Sequence, residues 1–355
     1  MTLTLTRHVV RLVGGRILAA LAVLVGILQI LDLLDVTTDI LDRQLGAGGV
    51  AYYALLRMPR LIEQAAPLAV LAGSLFAFTQ LARESAVTAM RSTGMSAYRL
   101  TAMAAPAAVA VMVLQLVMGS WVAPRTDETL AQWWRAPAPA AEPMNVSPRT
   151  FRVGGEIVVA APVDDSGRQL KDVTIYRRDA YGRLLQRTHA DAAIYQDGQW
   201  RLISPRFDAI GADSVRQSSA AEMVWPNRLN PADVRTLFSP EQSVSPGSAR
   251  RALEGGASER PRAFYATQLQ RIWAAPFAAL VMLLLAAPSA LANFRNGKGA
   301  TLLVVSLAAG LLFIVVDGIF TALGESGSAP ALLAAWSAPV IFAGLGATAL
   351  LYLEG

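Results

Sequence analysis

Six arginines, Arg43, Arg57, Arg60, Arg125, Arg135 and Arg271, stand near the ends of long apolar runs. If those runs cross a bilayer in alternation, all six face the same side. A guanidinium at such a boundary holds a phosphate bidentately and keeps its charge at any physiological pH. Basic residues at an interface are also ordinary membrane anchors, so for each arginine taken singly both readings stay open. Acids form a second set. Asp32, Asp35, Asp39 and Asp42 recur at roughly helical spacing where the first apolar run ends, and Asp317 lies inside the fifth. Carboxylates within a membrane mark proton or ion pathways by default, but they also pair with cations on neighbouring helices or face wet cavities. The cluster after the first run reads as interfacial, where water solvates it.

A third set lies between the second and third runs, Arg83-Glu-Ser-Ala-Val-Thr-Ala-Met-Arg-Ser-Thr-Gly94. Ala86, Val87 and Met90 fall on one side at helical spacing, while Arg83, Glu84, Thr88 and Arg91 fall largely on the other. Gly94 supplies a stop and Ser96 a cap for the next helix. A short amphipathic helix on the membrane surface is expected here. It either docks on a cytoplasmic partner or lies on the interface without one.

Several chemistries are absent. The chain has no cysteine, which removes disulfides, thiolate metal sites and a cysteine nucleophile. Its two histidines, His8 and His189, fall on opposite sides of the predicted membrane, so a histidine-pair metal site within the chain is not expected. Gly297-Lys298-Gly299 lacks the glycine spacing and the following hydroxyl of a phosphate loop, and neither a G-x-S-x-G elbow nor an H-E-x-x-H helix occurs. No catalytic residue, cofactor or metal is predicted. Any ATP hydrolysis would belong to a partner subunit.

The elements that must position these residues follow from hydropathy. With 54% hydrophobic and 16% charged residues, the 355-residue chain is too apolar for an ordinary soluble protein. Six apolar runs, at about 12–34, 61–82, 100–123, 269–292, 300–323 and 331–353, are each long enough to span a bilayer. Arg7, Arg11 and Arg16 resemble the start of a signal peptide, but no small-x-small cleavage site follows, and a retained helix is predicted. Arg7, Arg11, Arg16, Arg83, Arg91, Arg99, Arg295 and Lys298 accumulate on one side of the short loops, which places both termini in the cytoplasm. The net charge of +5 is then mainly a topology signal, and nucleic-acid binding is not expected.

Between 124 and 264 the composition turns mixed and polar. Phe151-Arg-Val, Glu156-Ile-Val-Val-Ala, Val173-Thr-Ile-Tyr and Ala192-Ala-Ile-Tyr alternate as strands do, and Gly154-Gly155 and Asp197-Gly198 sit between alternating runs as two-residue hairpin turns do. The expected fold is an α-helical membrane protein with six transmembrane helices plus an inserted all-β, jelly-roll-like periplasmic domain. Residues 1–123 form the first three helices with the surface helix at 83–94, residues 124–264 the β domain and its connector, and residues 265–355 the last three helices. The Ser-, Pro- and Gly-rich stretch 239–261 reads as that connector. Ala69, Gly73 and Ala77 put small residues at every fourth position of the second helix, which permits close helix contact. Trp121, Trp133, Trp134, Trp273 and Trp336 fit an aromatic belt.

Three stretches carry a family resemblance: Leu55-Leu-Arg-Met-Pro-Arg-Leu-Ile-Glu-Gln-Ala-Ala-Pro-Leu-Ala-Val-Leu-Ala-Gly, Leu81-Ala-Arg-Glu-Ser-Ala-Val-Thr-Ala-Met-Arg-Ser-Thr-Gly-Met-Ser and Gly119-Ser-Trp-Val-Ala-Pro. With Trp273-Ala-Ala-Pro, Met282-Leu-Leu-Leu-Ala, Val316-Asp-Gly-Ile-Phe and Ala335-Trp-Ser-Ala-Pro, they closely resemble the LptF/LptG permeases of lipopolysaccharide export. The likeness covers essentially the whole chain and is greater to LptG, through Ala89-Met-Arg-Ser-Thr-Gly and Val316-Asp-Gly-Ile-Phe.

The resemblance implies an inner-membrane subunit that pairs with an LptF-like permease. It also implies an LptB-like ATPase dimer beneath the pair and association with an LptC-like single-helix protein and a periplasmic bridge. The cargo would be lipopolysaccharide, taken from the outer leaflet of the inner membrane. By the same resemblance, residues 83–94, with Arg83, Glu84, Val87, Met90, Arg91 and Gly94, are the coupling helix. Arg60 and Arg135 are the foremost contacts for lipid phosphates, and Asp317 has a structural or gating role.

The chain departs from the family pattern in two places. Ala86 follows Ser85 where the family usually has glutamate, and Glu84 points about 200° away around a helix. Asp35, Asp39 and Asp42 stand where LptG proteins can carry lysines, with only Arg43 basic. Two other readings of the residues remain: an ion-coupled secondary transporter using Asp317, and a non-transporting periplasmic scaffold. The lack of inverted sequence repeats counts against the first.

Overall fold

The computed structural model describes residues 2–84, 96–135, 147–164, 166–179, 181–211, 214–227, 229–238, 246–291 and 298–354. In chain order these form helices α1 (Thr2–Asp42), α2 (Gly46–Arg83), α3 (Ala97–Val117) and α4 (Ala123–Arg135). Strands β1 (Arg149–Val153), β2 (Glu156–Pro162), β3 (Gln169–Arg178), β4 (Leu184–Gln196), β5 (Gln199–Ile203), β6 (Arg206–Ile210), β7 (Val215–Ser219) and β8 (Glu222–Trp225) follow. Helices α5 (Pro231–Leu237), α6 (Pro246–Leu253), α7 (Arg262–Ala274), α8 (Ala278–Ala286), α9 (Lys298–Glu325) and α10 (Ala331–Glu354) complete the chain. Two compact units result, Met1–Trp133 with Thr267–Gly355, and Trp134–Ala266.

Six helical spans long and apolar enough to cross a membrane lie among the described residues. They reach beyond the apolar runs that mark them. α1 has 41 residues, so it is roughly 60 Å long against a hydrocarbon core of about 30 Å. Its last two turns carry Asp35, Asp39 and Asp42, whose charge ends the apolar run without ending the helix. α2 likewise starts at Gly46, before the apolar run at 61, and holds Pro59 and Pro67 within it. Ser96 caps α3 as expected, its side chain accepting the Arg99 amide.

The third span does not stop at residue 123. α3 passes through one π turn, Met118–Val122, directly into the amphipathic α4. The cause is Pro124, which has no amide hydrogen and whose ring would collide with the carbonyl four residues back in a regular α-helix. Widening that turn, with the Ala123 amide donating to the Met118 carbonyl, lets the helix continue.

Burial is uneven among the spans. In the most apolar stretch of each, 67% of residues are buried in the second and fourth spans but only 17% in the first and fifth. The second and fourth are therefore the core of the unit. Phe78 of the second and Met282 of the fourth share a cluster with Val9, Val13 and Ile17 of the first, Phe313 of the fifth and Phe342 of the sixth. Lipid tails are as apolar as leucine, so close backbone approach and dispersion have to hold such helices together. Gly73 shows this directly: a Cβ there would lie 2.5 Å from the Ile17 Cα. Ala69 and Ala77, on the same stripe, are fully buried.

The other unit is an antiparallel sheet ordered β1-β2-β3-β4-β5-β8, with β6 and β7 branching from β4. All four expected strand segments are present, as β1 to β4. The long β4 forks: residues 186–189 pair with β6 and residues 192–196 with β5. Both hairpin turns fall where the sequence places them. Asp197 and Gly198 have φ of 52° and 81°, and Gly154 has φ of 60°, the positive values that match the right-handed twist of the strands. The core contains Phe151, Leu170, Trp200, Leu202 and Trp225. Each buried indole donates a hydrogen bond, Trp200 to the Leu229 carbonyl and Trp225 to Glu156 Oε2, both at 2.9 Å. The stretch 239–261, expected as a connector, contains α6 among its described residues. Pro246 opens it, Arg250 and Arg251 complement its C-terminal dipole, and Ala249 and Ala252 are its buried side. Two alanines are too weak an apolar signal to announce a helix.

Candidate functional site

Spans that alternate through a bilayer bring the end of α1, the start of α2, the end of the third span, α7 at the head of the fourth span and the end of α9 to one side. It is the side from which the chain leaves for the β unit. Charged residues on these segments meet there in arginine–carboxylate pairs. Arg57 Nε donates to Asp32 Oδ1 at 3.2 Å, joining α2 to α1, and Tyr53 Oη donates to the other oxygen of Asp32 at 3.0 Å. Arg271 Nη1 lies 3.2 Å from Asp317 Oδ2, joining α7 to α9. Arg60 Nη1 donates to Glu63 Oε2 at 3.3 Å, one turn along α2.

The third pair is packed from several sides. Arg271 and Asp127, from the fourth and third spans, are both near enough to act on the charge of Glu63. Gln115 Nε2 donates to the Glu63 carbonyl at 3.4 Å. Gly119, inside the π turn, faces the carboxylate so closely that a Cβ would lie 2.7 Å from Glu63 Oε1. A single-turn π bulge within an α-helix is a frequent mark of a functional position. Here it brings a side-chain-free patch of backbone against an acid.

Of the six arginines, then, Arg57, Arg60 and Arg271 are half-buried and each faces a carboxylate. Arg60 holds Glu63, and Arg271 holds Asp317. Arg43, in the turn after α1, and Arg125, at the start of α4, are exposed. Arg135 is the last residue of α4, and its side chain lies outside the described residues. Asp317, expected to be structural or gating, is in contact with Arg271.

At the opposite end, Arg16 Nη2 donates to Gln80 Oε1 at 2.7 Å and Gln80 Nε2 donates to Glu84 Oε1 at 2.9 Å. Glu84, just past the exposed Arg83, is thereby linked to α1. Val87, Met90, Arg91 and Gly94 lie outside the described residues. Sequence reasoning missed Glu63, Gln115, Gly119 and Asp127. Glu63 had a signal, since it follows Arg60 at the i,i+3 spacing of a helical ion pair. Gly119 had only Pro124, five residues on.

The arrangement is built from paired charges. It is a half-buried set of guanidinium groups held by internal anions, on a helical membrane protein with a β-sheet unit inserted between its third and fourth spans. The chain belongs to the LptF/LptG family: residues 7–352 match the family described as lipopolysaccharide export system permease LptF/LptG. It is similar to the lipopolysaccharide export system permease protein LptG of Haemophilus influenzae, 24% identical over 346 residues that make up 96% of each chain. The LptG protein of Escherichia coli K12 is 22% identical over 323 residues, 89% of each chain. Both relatives are LptG proteins, in keeping with the closer sequence likeness to that branch.

Proposed function

We propose that this chain is the LptG-like permease subunit of an ATP-driven exporter that extracts lipopolysaccharide from the inner membrane. The observation that carries the reading is the contrast between the spans. The first and fifth are apolar yet largely uncovered, and they flank the arginine-bearing second and fourth. Such faces suit a subunit that is half of a cavity, completed by an LptF-like partner, in which acyl chains lie against apolar helix and phosphates meet guanidinium groups. The relatives' name, lipopolysaccharide export system permease protein, supports the cargo.

In this reading the β unit is periplasmic and adjoins the bridge, both termini are cytoplasmic, and residues 83–94 dock on an LptB-like ATPase dimer. Closure of the motor shifts the first and fifth spans against the partner subunit and narrows the cavity. An LptC-like helix completes the assembly. Asp317 is a structural or gating residue, and its contact with Arg271 at 3.2 Å favours that role over proton coupling.

Co-purification with the candidate partners tests the reading. Wild type should bring down an ATPase whose activity requires the complex, and Val87→Asp with Met90→Asp should release it while the membrane protein stays folded. If no ATPase associates under any gentle condition, the exporter reading has lost its energy source.

A further inference from the structure

These arginine–carboxylate pairs are not scattered. In two of them the arginine is on a buried core span and the acid is on one of the two least buried spans. Arg57 of α2 holds Asp32 of α1, and Arg271 of α7 holds Asp317 of α9. Each of these spans, largely uncovered along its most apolar stretch, is thus joined to the core by an ion pair at corresponding ends of the unit. The side chains of both pairs retain partial access, 23% and 18% for Arg57 and Asp32, 26% and 23% for Arg271 and Asp317. A second anion can therefore reach them.

We infer that Asp32 and Asp317 are latch residues: they occupy Arg57 and Arg271 in the empty protein, and phosphate groups of the lipid cargo displace them, releasing the first and fifth spans on loading. The inference rests on the reading above, that cargo phosphates meet these arginines. Its physical content is competition between two anions for one guanidinium. A guanidinium fork binds carboxylate and phosphate with the same geometry, and a phosphate offers more oxygens and more charge. An acid that merely tethers helices leaves the cation available to nothing else. An acid that competes with cargo lowers cargo affinity and makes loading a mechanical event. Asp32 has a further partner in Tyr53, which retains the released carboxylate by a neutral hydrogen bond at 3.0 Å.

Competition predicts the opposite sign from a purely structural pair. In the assembled complex in lipid nanodiscs, Asp32→Asn and Asp317→Asn should each tighten binding of bisphosphorylated lipopolysaccharide, by about threefold to tenfold. Binding of the enzymatically dephosphorylated lipid should not change. Arg57→Gln and Arg271→Gln should weaken binding of the phosphorylated form. If the arginine variants have no effect, the phosphate-contact reading itself fails. If they weaken binding but the Asn variants leave it unchanged or weaken it too, the latch alone is overturned.

A second measurement needs no change to the pairs. The chain has no native cysteine, so spin labels can be placed at exposed positions on neighbouring spans, Leu34 with Leu55 and Ile319 with Trp273. Both distances should lengthen when phosphorylated lipid is added and stay put with the dephosphorylated form. Distances unmoved by either lipid overturn the latch even if the Asn variants fail to assemble.

Discussion

The membrane unit and the β unit both set arginine against carboxylate, but in different surroundings. In the β unit Arg177 and Arg183 reach Glu156 and Asp179 at 2.8 Å with the arginine side chains 57% and 77% exposed. Water screens such pairs and their net contribution is small. In the membrane unit the Arg57–Asp32 and Arg271–Asp317 pairs are longer, 3.2 Å, but their arginines are about a quarter exposed, and breaking either leaves a charge in a medium that solvates it poorly. Contact distance alone would rank them backwards. The difference also extends to the cores, since burial from water drives the β unit together, whereas helices already in lipid gain mainly from fit.

Removing one large buried side chain from each core should give the largest difference between the two units. Trp200 and Phe78 are equally enclosed, at 1% and 0% exposure. Trp200→Ala should cost about 3–5 kcal/mol of β-unit stability, from lost transfer energy and the cavity together. Phe78→Ala should cost less, because only the cavity and lost dispersion remain. Denaturant titration of the full chain, followed by proteolysis of the β unit and by thermal stability of the membrane unit in detergent, separates the two. Equal losses would mean that packing, not solvent, governs both.

A smaller effect is expected at Gly73, where any side chain meets the Ile17 backbone. Gly73→Val should lower membrane-unit stability by about 1–3 kcal/mol, as overpacking does, and leave the β unit intact. A double-mutant cycle on Arg271 and Asp317 should then give a coupling of roughly 1–2 kcal/mol, against about 0.2–1 kcal/mol for Arg177 and Glu156.

The smallest effect belongs to the Asp179 turn. The backbone amide and side chain of Arg183 hold the Asp179 carboxyl below the usual aspartate range. Its contribution is present above the ordinary carboxylate pKa and is lost as pH falls through the lowered value. Arg183→Ala should raise the Asp179 titration midpoint, read by carboxyl-carbon NMR, with no measurable change in the unfolding transition at neutral pH.

Much of this was legible in the sequence, and the limits have physical causes. The six spans were plain because about 20 apolar residues in a row have few other uses. Their full lengths were not, since Asp35 to Asp42 and Gly46 to Arg60 continue a helix beyond the apolar run. The strands with clean alternation, β1 to β4, were legible. β7, exposed along its whole length, had no apolar face to betray it. At the candidate site, Asp32, Asp317 and the arginines stood out singly, but who meets whom depends on helix packing that no single segment encodes. The π turn at 118–122 is of that kind, as it needs Pro124 below it and Glu63 across from it.

The most direct test of the central claim is photocrosslinking within the assembled complex, with a benzophenone residue at Leu31 of the first span, Ile319 of the fifth and Val340 of the sixth. All three are exposed in this chain. A permease whose first and fifth spans border the cargo cavity predicts lipopolysaccharide adducts at Leu31 and Ile319 that fall when ATP is hydrolysed, with phospholipid at Val340. Lipopolysaccharide adducts that are equal at all three positions, or insensitive to ATP, would contradict it.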